Sequence, residues 1–494
     1  MPRPEPHPGP QLIAYADRFG GDVLALARLL DGPLAGAFDG VHVLPFYLPY
    51  DGADAGFDPQ DHTAVDPRLG TWEDVRALSR GRAVMADVIV NHMSADSAQF
   101  TDVRARGDAS PWAGMFLTLS SVFPDGASEA DLARIYRPRP GLPFTAMNLG
   151  GRRRLVWTTF TPAQVDLDTR DPAAWDYLTS VIDALTDAGV TLLRLDAVGY
   201  TGKEPGTNCF MTASSDALSA RIVQYAHGRG ARVLVEVHGH YRQQIEIARS
   251  VDYVYDFALP PLVLHALTAA DLGPLAAWLR VRPANTITVL DTHDGIGIVD
   301  VGLSDLLPGE PGLLEPEQID ALVERIHANS GGTSRQATGA AASNLDLYQV
   351  NCTFYDALGA DDRRFLLARL IQLFLPGIPQ VYYVGLLAGR NDLDLLAATG
   401  VGRDVNRHRY DAAEVDEALA RPVVAATLAA LRLRRDHRAF AGEFEWHLSG
   451  TGGELAWRND EASAVLTFDV ADGTFELLAS NDEVSTVVVT STSL

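Results

Sequence analysis

Eight short apolar, β-branched runs recur along this chain, with amphipathic helical patterns between several of them, and that alternation leaves few folds open. The runs are Leu12–Tyr15, Gly40–Leu44, Val84–Val90, Thr191–Leu195, Arg232–Val237, Val251–Tyr255, Thr286–Leu290 and Gln380–Val384. Runs such as Val84–Val90 are apolar on both faces, as strands of a buried parallel sheet are. Helical patterns such as Pro172–Ala188 and Asp216–Gly228 lie between them. Strands that alternate with helices predict a parallel sheet, and eight repeats predict an α/β protein built on a closed (β/α)8 barrel.

Two connections are too long for ordinary loops. One runs from about His92 to Arg170 and the other from about Gly297 to Ala360. Both leave the C-terminal ends of strands, where barrel active sites lie. Past Phe440 the pattern becomes short alternating strands with Gly and Asp turns. The expected division is therefore a catalytic barrel from 1–90, 172–296 and 360–439, an inserted domain after strand three at 91–171, an inserted region after strand seven at 297–359, and a C-terminal all-β domain at 440–494.

With 494 residues, 47% of them hydrophobic and 21% charged, the chain can bury a large core. Its 40 Lys+Arg against 64 Asp+Glu give a formal charge of −24, which disfavours nucleic acid and anionic membrane as partners. Any anion site must be built locally. Two cysteines, Cys209 and Cys352, make no framework and have no metal spacing; they read as small buried apolar residues. The first residues, MPRPEPHPGP, contain no apolar core of a signal peptide. The stretch Leu366–Leu387 is broken by Arg369, Gln372, Pro376, Pro379 and Gln380, so it reads as a helix, a Pro-Gly-Ile-Pro turn and a buried strand, not as a membrane span.

The chemistry sits at strand ends. TLLRLDAVGY places Arg194, Asp196 and Tyr200 after strand four; an Arg keeps a neighbouring carboxylate ionised, which suits a nucleophile. By spacing alone, a buried ion pair closing the strand is an equal reading. ARVLVEVHGH puts Glu236 and His238 after strand five, and an apolar pocket favours the neutral acid that a general acid needs. NTITVLDTHDGIG supplies His293 and Asp294 after strand seven, and DVIVNHMS supplies His92 after strand three. Paired carboxylates around a glycosidic bond are the machinery of glycoside cleavage. Asp392 and Asp394 read as an exposed acidic turn, the arginines of LRLRRDHR as a solvated helix end, and no metal site is expected, Asn91 included.

DVIVNH, LLRLDAVGY, VLVEVH and LDTHD resemble, in order, the four signature regions of the α-amylase superfamily. Segments such as LIAYADRFG, DGADAGFDPQDHTAVD, IYRPRPGLPFT, ATGAAASNLDLYQVN and GRDVNRH extend the resemblance over nearly the whole chain to the sucrose phosphorylase family. That resemblance implies reversible phosphorolysis of sucrose to α-glucose 1-phosphate and fructose, with retention and a covalent β-glucosyl intermediate. The relevant partners are then sucrose, inorganic phosphate, glucose 1-phosphate and fructose, with no cofactor.

Asp196 would be the nucleophile, Glu236 the acid and then base, and Asp294 the transition-state stabiliser. His92, His293 and Arg194 would hydrogen-bond the same ring. Asp54 and Arg403 would close the pocket on the 4-hydroxyl side, and Phe57 and Phe160 would line the sugar's apolar surface. Gln164, Tyr200, Leu345, Asp346 and Gln349 would shape the acceptor side, with Arg139 of the Pro138–Arg139 loop on phosphate, and His238 would be a further substrate-binding residue. Related phosphorylases of sucrose 6'-phosphate or glucosylglycerate share this core, and a sucrose hydrolase or transglucosidase would differ only in its acceptor. A non-catalytic, transporter-associated barrel is opposed by the retention of all three carboxylates. A phosphorylated product implies a cytoplasmic enzyme, and a homodimer is compatible with the sequence.

Overall fold

The computed structural model describes residues 9–138, 141–304, 307, 309–338, 349–481 and 484–492. Eight parallel strands close into a barrel: Gln11–Ala14, Gly40–Val43, Ala83–Ile89, Leu192–Asp196, Arg232–Val235, Tyr253–Asp256, Thr286–Thr288 and Ile378–Tyr382. Each pairs with its neighbours in chain order, and the eighth pairs with the first to complete the ring. All eight expected strands form. They do so because their side chains are buried on both faces, as the continuous apolar runs required.

Local chemistry sets the boundaries. Asp171 caps the helix Pro172–Asp187 by accepting from the Ala173 N–H, with Pro172 at the first helical position. The helix expected from Asp216 begins three residues earlier, at Ala213, because the Thr212 hydroxyl caps it at Ser215 N. Strand five ends at Val235, so Glu236 leaves the ladder and its side chain can turn into the barrel mouth. Cys209 and Cys352 are free and buried. The apolar stretch near 370 forms a helix, Asp362–Phe374, and then strand eight. Among the described residues no helix is long and apolar enough to cross a membrane.

The segment after strand three returns to the barrel through a small antiparallel pair, His92–Ser94 with Gln164–Asp166, and carries the hairpin Phe144–Leu149/Arg152–Trp157. The segment after strand seven holds the helix Pro316–Asn329 and the pair Ile296–Gly297 with Gln349–Val350. Beyond the barrel, five antiparallel strands from Glu443 to Thr490 form one sheet. It is fastened by Trp457, whose Nε1 donates to the Phe374 carbonyl at 2.6 Å.

The helix Pro422–Asp436 corrects the reading of LRLRRDHR as a solvated end. Arg434 is buried; it packs over Phe440 and Trp457 and donates to the Gly377 carbonyl. Burial pushes its guanidinium down to about 10. Only the helix register, with Leu431 and Thr427 on the same buried face, distinguishes it from its exposed neighbours.

Candidate active site

At the C-terminal mouth of the barrel, side chains from strands three, four, five and seven meet. Asp87, wholly buried on strand three, accepts from Arg194 and lies 2.9 Å from His42 Nε2. Burial alone would raise its proton affinity; His42 and then Arg194 outweigh it and hold the carboxyl well below the usual range. Asp87 thereby fixes Arg194. That guanidinium reaches Asp196 Oδ1 at 3.0 Å and Glu236 Oε1 at 3.5 Å.

The charge of Arg194 is thus divided among three carboxylates, so it supports the ionised form of Asp196 but is not reserved for it. Burial pushes the Asp196 carboxyl well above its ordinary value; Arg194 opposes this, and Glu236, Asp87 and Asp294 add to it. The residue after Asp196 makes the turn. Ala197 is left-handed (φ 56°), and its N–H donates to Glu236 Oε2 at 3.2 Å. A non-glycine in that region is held by its surroundings, and here the strained turn links the ends of strands four and five.

Asp294 Oδ1 meets Arg403 Nη1 at 2.8 Å. Burial would raise its proton affinity, but Arg403, with Arg407 and Arg194, holds it well below the carboxylate range. Burial takes His293 down to about 3, so it is a neutral hydrogen-bonding group; its ring stacks on Phe57 at 4.8 Å. Arg407 donates to the His293 carbonyl at 2.9 Å and Asn406 to the Thr292 carbonyl at 2.8 Å, which ties the turn Gly402–Asn406 to the end of strand seven. His92, buried and shifted down by burial, lies 2.9 Å from the Phe57 carbonyl. Asp58 accepts from the N–H groups of Ala53 and Asp54, and Gln164 donates to Asp54 Oδ2 at 3.2 Å.

The alpha-amylase catalytic-domain family matches residues 36–218. A Bifidobacterium adolescentis protein described as sucrose phosphorylase is 54% identical over 94% of this chain and 92% of its own length. One from Agrobacterium vitis with the same description is 55% identical over 95% and 96%. The chain belongs to the sucrose phosphorylase family. The crystal structure of sucrose 6F-phosphate phosphorylase from Thermoanaerobacter thermosaccharolyticum superposes with a TM-score of 0.89 at 33% identity, covering 99% of both chains.

In this member of the sucrose phosphorylase family one cavity gathers most of the residues singled out in the sequence. Asp54, Phe57, His92, Phe160, Asp196, Tyr200, Glu236, His238, His293, Asp294, Gln349 and Arg403 line it. Arg194 does not; it stands behind the carboxylates and serves them. Gln164 is buried beneath the lining, where its amide bonds Asp54 and His92 from behind. Arg139, Leu345 and Asp346 fall outside the described residues.

The cavity also takes in Tyr136, Phe210 and Val299, which sequence reasoning missed. Tyr136 and Phe210 pack as a tilted pair 4.3 Å apart, and Tyr200 joins them, stacked on Tyr136. Tyr136 stood in the quoted segment IYRPRPGLPFT; Phe210 carried no signal. Lys203 is a further omission. Its ammonium is buried 3.0 Å from Asp166 and from the Thr159 hydroxyl and 3.5 Å from Asn91 Oδ1, so the side of Asn91 is taken by a cation from the chain itself.

Ligand atoms of Glu236, His238 and Asp294 lie within 4.8 Å of one another. The neighbouring Arg194 and Arg403 already place positive charge on two of the three, which disfavours a metal ion there. Asp392 is a helix cap paired to His408 at 2.5 Å.

Proposed function

We propose that this enzyme transfers a glucosyl unit from sucrose to inorganic phosphate, giving α-glucose 1-phosphate and fructose with retained configuration. The observation that carries the reading is the meeting of Asp196, Glu236 and Asp294 in one cavity, in a chain more than half identical to proteins described as sucrose phosphorylases.

Asp196 attacks the anomeric carbon as Glu236 protonates the departing fructosyl oxygen. Asp196 then holds the glucosyl unit as a β-ester. Phosphate attacks the same carbon, Glu236 accepts any proton the acceptor loses, and the Asp196 carboxylate departs. Asp294, kept ionised by Arg403, faces the positive charge that develops on the ring. Contact of both Asp196 and Glu236 with one guanidinium supports a separation near the ~5–5.5 Å of retaining enzymes. Asp54 and Arg403 close the blind end around the 4-hydroxyl, while His92, His293 and Phe57 grip the ring. Phe160 lines its apolar surface. Tyr200, Gln349, Leu345 and Asp346 shape the acceptor side, and Arg139 binds phosphate. Cytoplasmic action and assembly as a homodimer belong to the same proposal, checked by fractionation and by light scattering.

Incubation with sucrose, with and without phosphate, tests the reading. Glucose 1-phosphate of α configuration should form only with phosphate. Free glucose as the sole product would make the enzyme a hydrolase. The β anomer would make it inverting, and a strict demand for sucrose 6'-phosphate would move it to the neighbouring specificity.

A further inference from the structure

A phosphate acceptor brings negative charge into a cavity that already holds Asp196, Glu236 and Asp294, in a chain of formal charge −24. His238 stands where that conflict is sharpest. Its Nε2 is 3.7 Å from Glu236 Oε1 and, more loosely, 3.4 Å from Nε2 of Gln349, whose side-chain oxygen accepts from Gly295 and Arg403; its ring stacks on Phe257 at 3.9 Å. The other ring nitrogen, Nδ1, lies 3.1 Å from Asp300 Oδ2. Asp300 is wholly buried and is not part of the cavity wall. It sits in the short turn Val299–Val301 after strand seven. Its second oxygen accepts from the Gly239 N–H at 3.1 Å and from Gln244 Nε2 at 2.8 Å. The carboxylate is therefore fixed from two directions with its remaining oxygen aimed at His238.

We propose that Asp300 is a positioning residue for acceptor choice: it holds His238 as a cation facing the cavity, and so lets the glucosyl-enzyme take phosphate in preference to a neutral acceptor. This rests on the phosphorylase reading above. The groups that act most on His238 are Asp300 from the turn after strand seven, Glu236 from the end of strand five and Asp294 from the end of strand seven, all acidic. Among the described residues Arg403 is the cation on the same cavity; it is paired to Asp294 and bonds Gln349, which lies between it and His238. Burial would favour the neutral imidazole; Asp300 outweighs it, with Glu236 and Asp294 acting the same way, and brings the ring up to about 9. The positive charge is present below that pH and lost above it. Fructose leaves as a neutral sugar, so nothing in the departing group calls for this charge. The second step does, because the incoming oxygen belongs to an anion.

Asp300→Asn preserves size and removes the charge. With Asp300 neutral, His238 should titrate near or below the ordinary ~6.5 of an imidazole. At pH 8 the KM for phosphate should rise about tenfold or more, the loss expected for one charge-assisted hydrogen bond. Sucrose hydrolysis and transfer to a neutral acceptor should stay within about threefold. At pH 5.5 the variant's phosphate defect should shrink, because the imidazole then protonates unaided; a merely structural defect would not follow pH in this way.

Histidine-labelled NMR of the wild-type enzyme, with the His238 signal assigned by its absence in His238→Gln, reads the same pair even if Asp300→Asn fails to fold. A wild-type His238 titrating at or below 6.5 overturns the proposal, as does an unchanged phosphate KM at pH 8. Absence of glucose 1-phosphate from the wild-type enzyme would instead overturn the phosphorylase reading, and the histidine titration would still report on the pair.

Discussion

The two halves of the cavity are built by different means. On the side proposed for the glucosyl unit, Asp196 ends strand four, Glu236 follows strand five directly, His92 lies three residues past strand three, and His293 and Asp294 come five and six residues past strand seven. These groups are nearly all buried, and the carboxylates are laced by ion pairs to Arg403 and to Arg194, which Asp87 in turn holds. On the other side, Tyr136, Pro138, Phe210, Val299 and Gln349 come from long connections, and aromatic packing does much of the holding. A strand end is placed by the whole barrel and moves little, so it suits groups that must meet a reacting carbon within tenths of an ångström. A loop can be rebuilt without disturbing the barrel, so it suits the choice of which acceptor enters once fructose has left. The 33% identical structure of a phosphorylase for phosphorylated sucrose, superposing over nearly the full length, fits that division.

The contrast can be broken hardest at Asp196. Asp196→Asn should fold and lose at least ~10³-fold in turnover on every acceptor alike, because it removes the covalent step common to all. Mass spectrometry of wild-type enzyme trapped with a 5-fluoro-glucosyl donor should place the label on the peptide containing Asp196; a label on Glu236 or Asp294 would reassign the nucleophile. Glu236→Gln should lose ~10²–10⁴-fold with sucrose. Donors with good leaving groups should restore the first step, since they need little protonation, and stopped-flow release of the leaving group checks this.

On the acceptor side the effects become selective. Arg139→Ala should weaken phosphate use by ~10–150-fold, the worth of one charge-assisted contact, and shift product from glucose 1-phosphate toward free glucose. An unchanged product ratio would rule Arg139 out. The mildest change is expected for Tyr136→Ala: ~2–12-fold in the KM of fructose during synthesis from glucose 1-phosphate, the worth of one aromatic pair, with sucrose hydrolysis little altered.

The same contrast explains how far the sequence was legible. Barrel strands are buried on both faces, so Val84–Val90 and its seven counterparts show as short, mainly apolar runs, right to within a few residues. The glucosyl-side residues come directly after those runs, and their motifs carry the family resemblance. Tyr136 and Phe210 meet across 74 positions with no periodicity to announce it. Arg434 looked like its neighbours because burial in a helix depends on which face meets the terminal sheet. Arg194 was rightly placed next to Asp196, but its division among three acids needed strands three and five in view.

Lys203 gives the inserted segment a property of its own. The ammonium that joins Asp166 and Thr159 to the turn after strand four arrives on a side chain. A dissociable ion in that place would be present only in proportion to its concentration in the medium, and occupancy would fall on dilution or in the presence of a competing binder. A tethered cation has no such mass-action term. The fastening between the barrel and the wall of its cavity is therefore set once, at synthesis of the chain, and stays indifferent to the mineral content of whatever solution the enzyme meets.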